Sequence, residues 1–136
     1  MSTLKEIAQR IGINSAYLRN MAVNSDKLYK AYYMSRSSGR LRQIEAPNNK
    51  LKAIQSWILR NVLERIPVSE RAQGFVKGRS IKGNARFHLG RKYILVTDIE
   101  DFFPSISSDD VYRVFHEILN DEEIAALYTK LCTYSG

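Results

Sequence analysis

Three carboxylates crowd the end of one apolar run: Asp98, Glu100 and Asp101 follow Tyr93-Ile94-Leu95-Val96-Thr97. The run is β-branched and aromatic, a composition that suits a buried strand. Alternation would place Ile94, Val96 and Asp98 on one face and Tyr93, Leu95 and Thr97 on the other. Asp98 would then stand at the mouth of an apolar strand, where a charge is costly unless a cation or donor compensates it. Mg²⁺ is a suitable cation, since it takes one or two protein carboxylates and completes its shell with substrate phosphates. A strand-end Asp that caps the following turn fits the same spacing equally well. The residue two after Asp98 is Glu100, so a D-x-D phosphatase pattern is not matched. Phe102, Phe103 and Pro104 end the strand, because Pro cannot supply a ladder N–H.

Basic chemistry lies upstream. Ala72-Gln73-Gly74-Phe75-Val76-Lys77-Gly78-Arg79-Ser80-Ile81 sets two glycines among cations, which lets backbone approach a phosphate closely. It is not a P-loop, because no G-K-[ST] ends it and no strand precedes it. Tyr29, Tyr32, Tyr33, Arg36, Arg40 and Arg42 mix rings that stack bases with cations that neutralise phosphates. A packed, Tyr-rich hairpin explains them too. His88 has no partner at metal spacing and reads as structural or nucleic-acid facing, and His116 reads as a helix-surface residue. The lone Cys132 excludes an internal disulfide and a cysteine zinc cluster, fits a reducing cytoplasm, and reads as a small buried helix residue.

The elements that must position these groups follow from periodicity. Leu4, Ile7, Ala8 and Ile11 predict a helix broken at Gly12, and Asn14 or Ser15 caps a second one carrying Leu18 and Met21. Leu28–Arg36 and Arg40–Ala46 flank Ser37-Ser38-Gly39 as a β-hairpin. Asn48 or Asn49 caps a long helix from Lys50 to about Arg65, with Leu51, Ile54, Ile58, Val62 and Ile66 as its core stripe and Trp57, Leu59 and Leu63 widening it. Ser107 or Ser108 caps a helix through Leu119 that buries Val111, Val114, Phe115 and Ile118. Asn120 or Asp121 caps the last helix, to about Cys132. Acidic groups at these two helix starts are thereby explained without chemistry.

The 136 residues carry a net charge of +7, but unevenly. Residues 1–92 hold 19 Lys/Arg against 5 Asp/Glu, and residues 93–136 hold 2 against 9. A basic segment followed by an acidic one suggests a polyanion-binding surface beside a metal-binding one. No apolar run approaches the ~18 residues of a membrane helix, and Met1–Gly12 does not read as a signal peptide.

Three strings in this chain resemble reverse transcriptases, most closely the bacterial retron type. Thr97–Ile106, TDIEDFFPSI, resembles that family's first carboxylate motif. Arg42–Gln55, R-x-I-x-x-P-x-x-K-L-K-x-I-Q, resembles its fingers, and Gly74–His88, G-F-x-x-G-R-S-I-x-x-N-A-x-x-H, its second fingers motif. The resemblance implies that Asp98 and the Ile99 carbonyl bind two catalytic Mg²⁺ ions. It implies that Phe103 is a gate against a ribose 2′-OH, with Phe102 in the core. Lys50 and Lys52, supported by Arg42, would clamp the incoming dNTP, and Lys77, Arg79 and Asn84 would contact the RNA template and DNA primer.

The implied fold is α+β: N-terminal helices over 1–25, fingers with a β-hairpin and long helix over 26–92, and over 93–136 the first strand and helices of an incomplete right-hand palm. The family's Tyr-x-Asp-Asp hairpin, which carries its other two metal-binding aspartates, is absent. The implied function is the front portion of an RNA-directed DNA polymerase, cytoplasmic and free of the membrane. It should be inactive alone, and should pair with a missing C-terminal half or self-associate. A group II intron-type fragment and a non-catalytic nucleic-acid-binding or defence module remain the alternatives.

Overall fold

The computed structural model describes residues 3–35 and 39–134. Arg36 and the Ser37-Ser38 turn expected of the hairpin lie outside the described residues.

Local capping chemistry sets most boundaries. Helix α1 (Leu4–Ile11) opens with a reciprocal pair in which the Glu6 N–H donates to Thr3 Oγ1 and the Thr3 N–H donates to Glu6 Oε2. It ends at Gly12, whose φ of 85° is open to a residue without a Cβ. Helix α2 (Ser15–Val23) is capped by Asn14, which accepts from the Ala16 and Tyr17 N–H groups. A 3₁₀ turn over Ser25–Leu28 leads into strand β1 (Tyr29–Ser35), antiparallel to β2 (Leu41–Pro47). Tyr29 pairs with Pro47 and Ser35 with Leu41, so Pro47 closes the ladder where its missing N–H matters least.

Helix α3 (Asn49–Asn61) is capped by Asn48, which accepts from the Leu51 N–H at 2.9 Å. It stops earlier than the periodicity predicts, and a separate 3₁₀ turn occupies Leu63–Arg65. After short helix α4 (Ile81–Arg86) and one-turn helix α5 (Phe102–Ser105), the chain ends in α6 (Ser108–Leu119) and α7 (Glu122–Cys132). Ser107 and Asp121 cap these two, and Asn120 turns between them at φ 49°.

One core joins the two ends of the chain. Helix α7 packs against α2, α3 and α6, and buries Ile124, Leu127, Tyr128 and Leu131 against Leu18, Met21, Leu51, Ile58 and Phe115. Phe115 meets Tyr128 edge-on at 5.5 Å. Gln55 fastens three elements with one amide, donating from Nε2 to the Tyr29 hydroxyl and to the Leu131 carbonyl, each at 2.8 Å. The two-layer logic of apolar helix stripes closing on each other is satisfied here, and the fold is α+β by its mixture of helices and one hairpin.

Several sequence expectations need correction. Tyr93–Thr97 forms no strand: it has no regular structure, and among the described residues β1 and β2 make the only sheet. A strand is held by its neighbours' ladder bonds, and with no partner strand beside it this run leaves its backbone to water. Val114, expected in the core, is exposed on α6, where Phe115 alone is fully buried and Val111 and Ile118 lie half-buried. Leu59 and Ile66 are likewise exposed, because α3 presents one narrow stripe to α7 and the helix has ended before Ile66. Phe102, expected in the core, is 47% exposed, since α5 contributes no buried residue.

Candidate functional site

Asp98 sits on the exposed run just described. Its Oδ1 accepts the N–H of Ile99 at 3.0 Å, a bond to its own neighbour that orients the carboxylate and leaves Oδ2 to solvent. The chain then turns through Asp101, whose φ of 48° is left-handed. A single helical turn follows, closed by the Ser105 N–H donating to the Asp101 carbonyl and by Ser105 Oγ donating to the Phe102 carbonyl. Pro104 is tolerated there because first-turn N–H groups need no helical partner. Phe102 and Phe103 meet edge to face at 5.4 Å, and Phe103 is 64% exposed. Among the described residues no three His, Cys, Asp or Glu groups converge on one point. Asp98 and the adjacent Ile99 carbonyl are hard oxygen donors of the kind Mg²⁺ accepts, which fits part of one ion's shell and not a pair of ions.

The basic candidates Arg42, Lys50 and Lys52 stand on β2 and α3. Lys50 stands in the first turn of α3, where it lines a cleft of about 450 Å³ with Tyr17, Asn20, Asn24 and Asn48. Lys52 and Arg42 are exposed, and among the described residues neither has an ion pair. Among the described residues no hydrogen bond or ion pair links Asp98 to Lys50, Lys52 or Arg42.

In the Gly74–His88 region the polar side chains differ in what they meet. The Arg79 guanidinium donates through Nη1 to the carbonyls of both Ser69 and Ala72. Lys77 lies 4.0 Å from Glu64 Oε2. Asn84 lines a cleft of about 690 Å³ with Ser69, Glu70, Arg71, Phe87, His88 and Arg91. Arg71, Phe87 and Arg91 are not singled out by the sequence, although the spacing Asn84, Phe87, His88, Arg91 is that of one helical face.

Two groups sit apart from any chemistry. Burial pushes the Cys132 thiol up to about 12, so at neutral pH it stays a protonated, unreactive thiol at the end of α7. Burial likewise pushes the Tyr128 hydroxyl up to about 12.

No family model matches the chain. Among curated proteins it is 36% identical over 138 residues to the retron Ec86 reverse transcriptase of Escherichia coli, covering 100% of this chain and 43% of that protein. It is 36% identical over 137 residues to the retron Mx65 reverse transcriptase of Myxococcus xanthus, covering 98% of this chain and 32% of the relative. Against the retron Mx162 reverse transcriptase of the same organism, identity is 37% over 111 residues, 79% of this chain and 23% of the relative. The chain therefore spans less than half the length of these curated relatives. The resemblance carried by the three motifs holds from one end of the chain to the other: this sequence is similar to part of a bacterial retron reverse transcriptase.

Proposed function

We propose that this chain is the fingers and first palm portion of a retron-type RNA-directed DNA polymerase. In that layout residues 1–25 form a helical lead, 26–92 the fingers, and 93–136 the start of the palm. The observation that carries the reading is the state of Tyr93–Ile106: an aspartate-bearing apolar run, exposed and outside the one sheet formed by the described residues, in a chain similar to 43% of a relative named a reverse transcriptase. Such a run suits a strand whose neighbours are supplied by chain that the relatives possess.

In the complete enzyme Asp98 and the Ile99 carbonyl would hold Mg²⁺. When bound, the two ions supply Lewis acidity to the primer 3′-hydroxyl and to the pyrophosphate leaving group. Asp98 keeps its carboxylate oriented through the Ile99 N–H. Lys50, Lys52 and Arg42 neutralise the triphosphate of the dNTP, and Phe103 lies against its sugar. Alone the chain should be inactive, because a two-ion clamp needs ligands beyond the one carboxylate of Asp98. The apolar run then drives pairing with a C-terminal half or with another copy. The relatives above are retron enzymes, which favours that branch over the group II intron type.

The test is reconstitution. The chain is mixed with the part of the retron Ec86 enzyme that it does not match, and primer extension on RNA is measured with Mg²⁺. Extension should require both pieces and should vanish with Asp98→Asn, while template affinity changes little. Absence of extension with a soluble, well-mixed pair, or activity that survives Asp98→Asn, counts against the assignment. Should Mg²⁺ and dNTP leave the affinity of the mixture for primer–template unchanged, the non-catalytic binding module becomes the better reading.

A further inference from the structure

Six cations lie in the segment from Arg71 to Arg91, and four of them are told apart by what their charged ends meet or line. Arg79 is committed to the Ser69 and Ala72 carbonyls, and Lys77 is beside Glu64. Among the described residues, Arg71 and Arg91 have neither a side-chain hydrogen bond nor an ion pair, and both line the cleft of about 690 Å³. Asn84, His88 and the half-exposed Phe87 line the same cleft. Glu70 also lines the cleft and opposes an anion there, so Arg71, Arg91 and Glu70 together bring one net positive charge to it. Two guanidiniums, an amide and an aromatic ring are the parts that grip a phosphate, read a base edge and stack a base.

From this we infer that the cleft takes one nucleotide unit of single-stranded nucleic acid, with its phosphate between Arg71 and Arg91 and its base against Phe87. Arg79 is the positioning residue. By tying Ser69 and Ala72 it fixes the turn that carries Glu70 and Arg71, and so it sets where the Arg71 guanidinium stands. A fork with several donors can hold two carbonyls at once, whereas a lysine ammonium has no such planar geometry. The assignment rests on the reading of this region as template-binding fingers, and it moves the phosphate contacts from Lys77 and Arg79 to Arg71 and Arg91.

The experiment is anisotropy of a fluorescein-labelled oligouridylate titrated with this chain across a salt series. Removing one cation that neutralises a phosphate should lower the salt slope by about 0.7 on a single strand. The double variant Arg71→Ala/Arg91→Ala should do so, each single variant should weaken binding, and Lys77→Ala should leave slope and affinity as they are. Arg79→Lys, which keeps the charge, should weaken binding at an unchanged slope and speed amide exchange over residues 69–79, with far-UV circular dichroism unaltered. A wild-type chain that fails to bind overturns the fingers reading together with this cleft. Binding that ignores Arg71→Ala and Arg91→Ala, or whose slope falls with Lys77→Ala instead, overturns the cleft alone.

Discussion

The two ends of this chain and its middle obey different rules. Between Ile58 and Phe115 no described residue is buried, whereas every core residue lies on α1, α2, α3, α6 or α7. The middle is not polar: Leu95 is 89% exposed, Val96 86% and Ile81 91%. An apolar segment left open on that scale marks a surface made to be covered. Structure is thus concentrated where the chain can satisfy itself, and the residues that resemble a polymerase site are concentrated where it cannot. The run bearing Asp98 has no ladder partner among the described residues.

That contrast can be broken most directly by truncating side chains in each region. Leu51 and Leu131 are fully buried, so Leu51→Ala or Leu131→Ala should cost about 2–5 kcal/mol, enough to unfold a marginal chain. Leu95→Ala and Val96→Ala should change stability by no more than about 0.5 kcal/mol, as measured by urea denaturation of the isolated chain. They should instead reduce its self-association in sedimentation velocity. Equal costs in both regions would mean that the run is packed in solution and that the comparison is wrong. Repeated on the reconstituted pair, Leu95→Ala should become strongly destabilising, because the run then has a sheet to join.

Phe102 and Phe103 sharpen the same contrast at smaller scale. Both are substantially exposed and their rings meet edge to face, so neither truncation should approach the loss of a core Phe in the isolated chain. Under the polymerase reading only Phe103 faces the sugar. In the reconstituted enzyme Phe103→Ala should raise ribonucleotide use by on the order of tenfold, about 1.4 kcal/mol of discrimination. Phe102→Ala should leave sugar selectivity intact. Selectivity unchanged by Phe103→Ala removes the gate assignment.

What is legible in the sequence follows the same division. Asn14, Asn48, Ser107 and Asp121 all act as caps because an N-cap needs only its own side chain and the next three residues. The hairpin is legible for a similar reason, being local, and it arrives within one or two residues of expectation. Tyr93–Thr97 misleads because its composition speaks for a strand while its pairing depends on residues elsewhere. Val114 misleads because a helical stripe is wider in sequence than the face α7 covers. Of the site, the motif strings carry Asp98, Lys77, Arg79 and Asn84, but the bonds of Arg79 to two loop carbonyls and the cleft around Arg71 and Arg91 are tertiary facts. Nothing in the residue types distinguishes a guanidinium that binds phosphate from one that ties a turn.

The smallest effect is set by the acidic start of α6, on the structured side of the comparison. Ser107 Oγ donates to Asp110 Oδ2 at 2.6 Å, the Ser107 N–H donates to the same oxygen at 3.0 Å, and the Arg113 guanidinium reaches Oδ1. The hydroxyl bond above all, then the backbone N–H and Arg113, hold the Asp110 carboxyl below its ordinary value of 3.8. A carboxyl whose value is lowered by folding stabilises the fold above its unfolded value, and that contribution is lost as pH falls through the lower folded one. Asp110→Ala should therefore destabilise the chain at neutral pH, and the gap from wild type should close below about pH 4. Because the Asp110 side chain is partly exposed, at 40%, salt should shrink the gap as well. Ser107→Ala removes the cap that the α6 N-terminus needs at every pH, about 0.5–2 kcal/mol, so part of its cost should persist in acid. A gap for Asp110→Ala that stays constant from neutral to acid pH would mean the carboxylate charge is idle there, and that α6 is held by the packing of Phe115 alone.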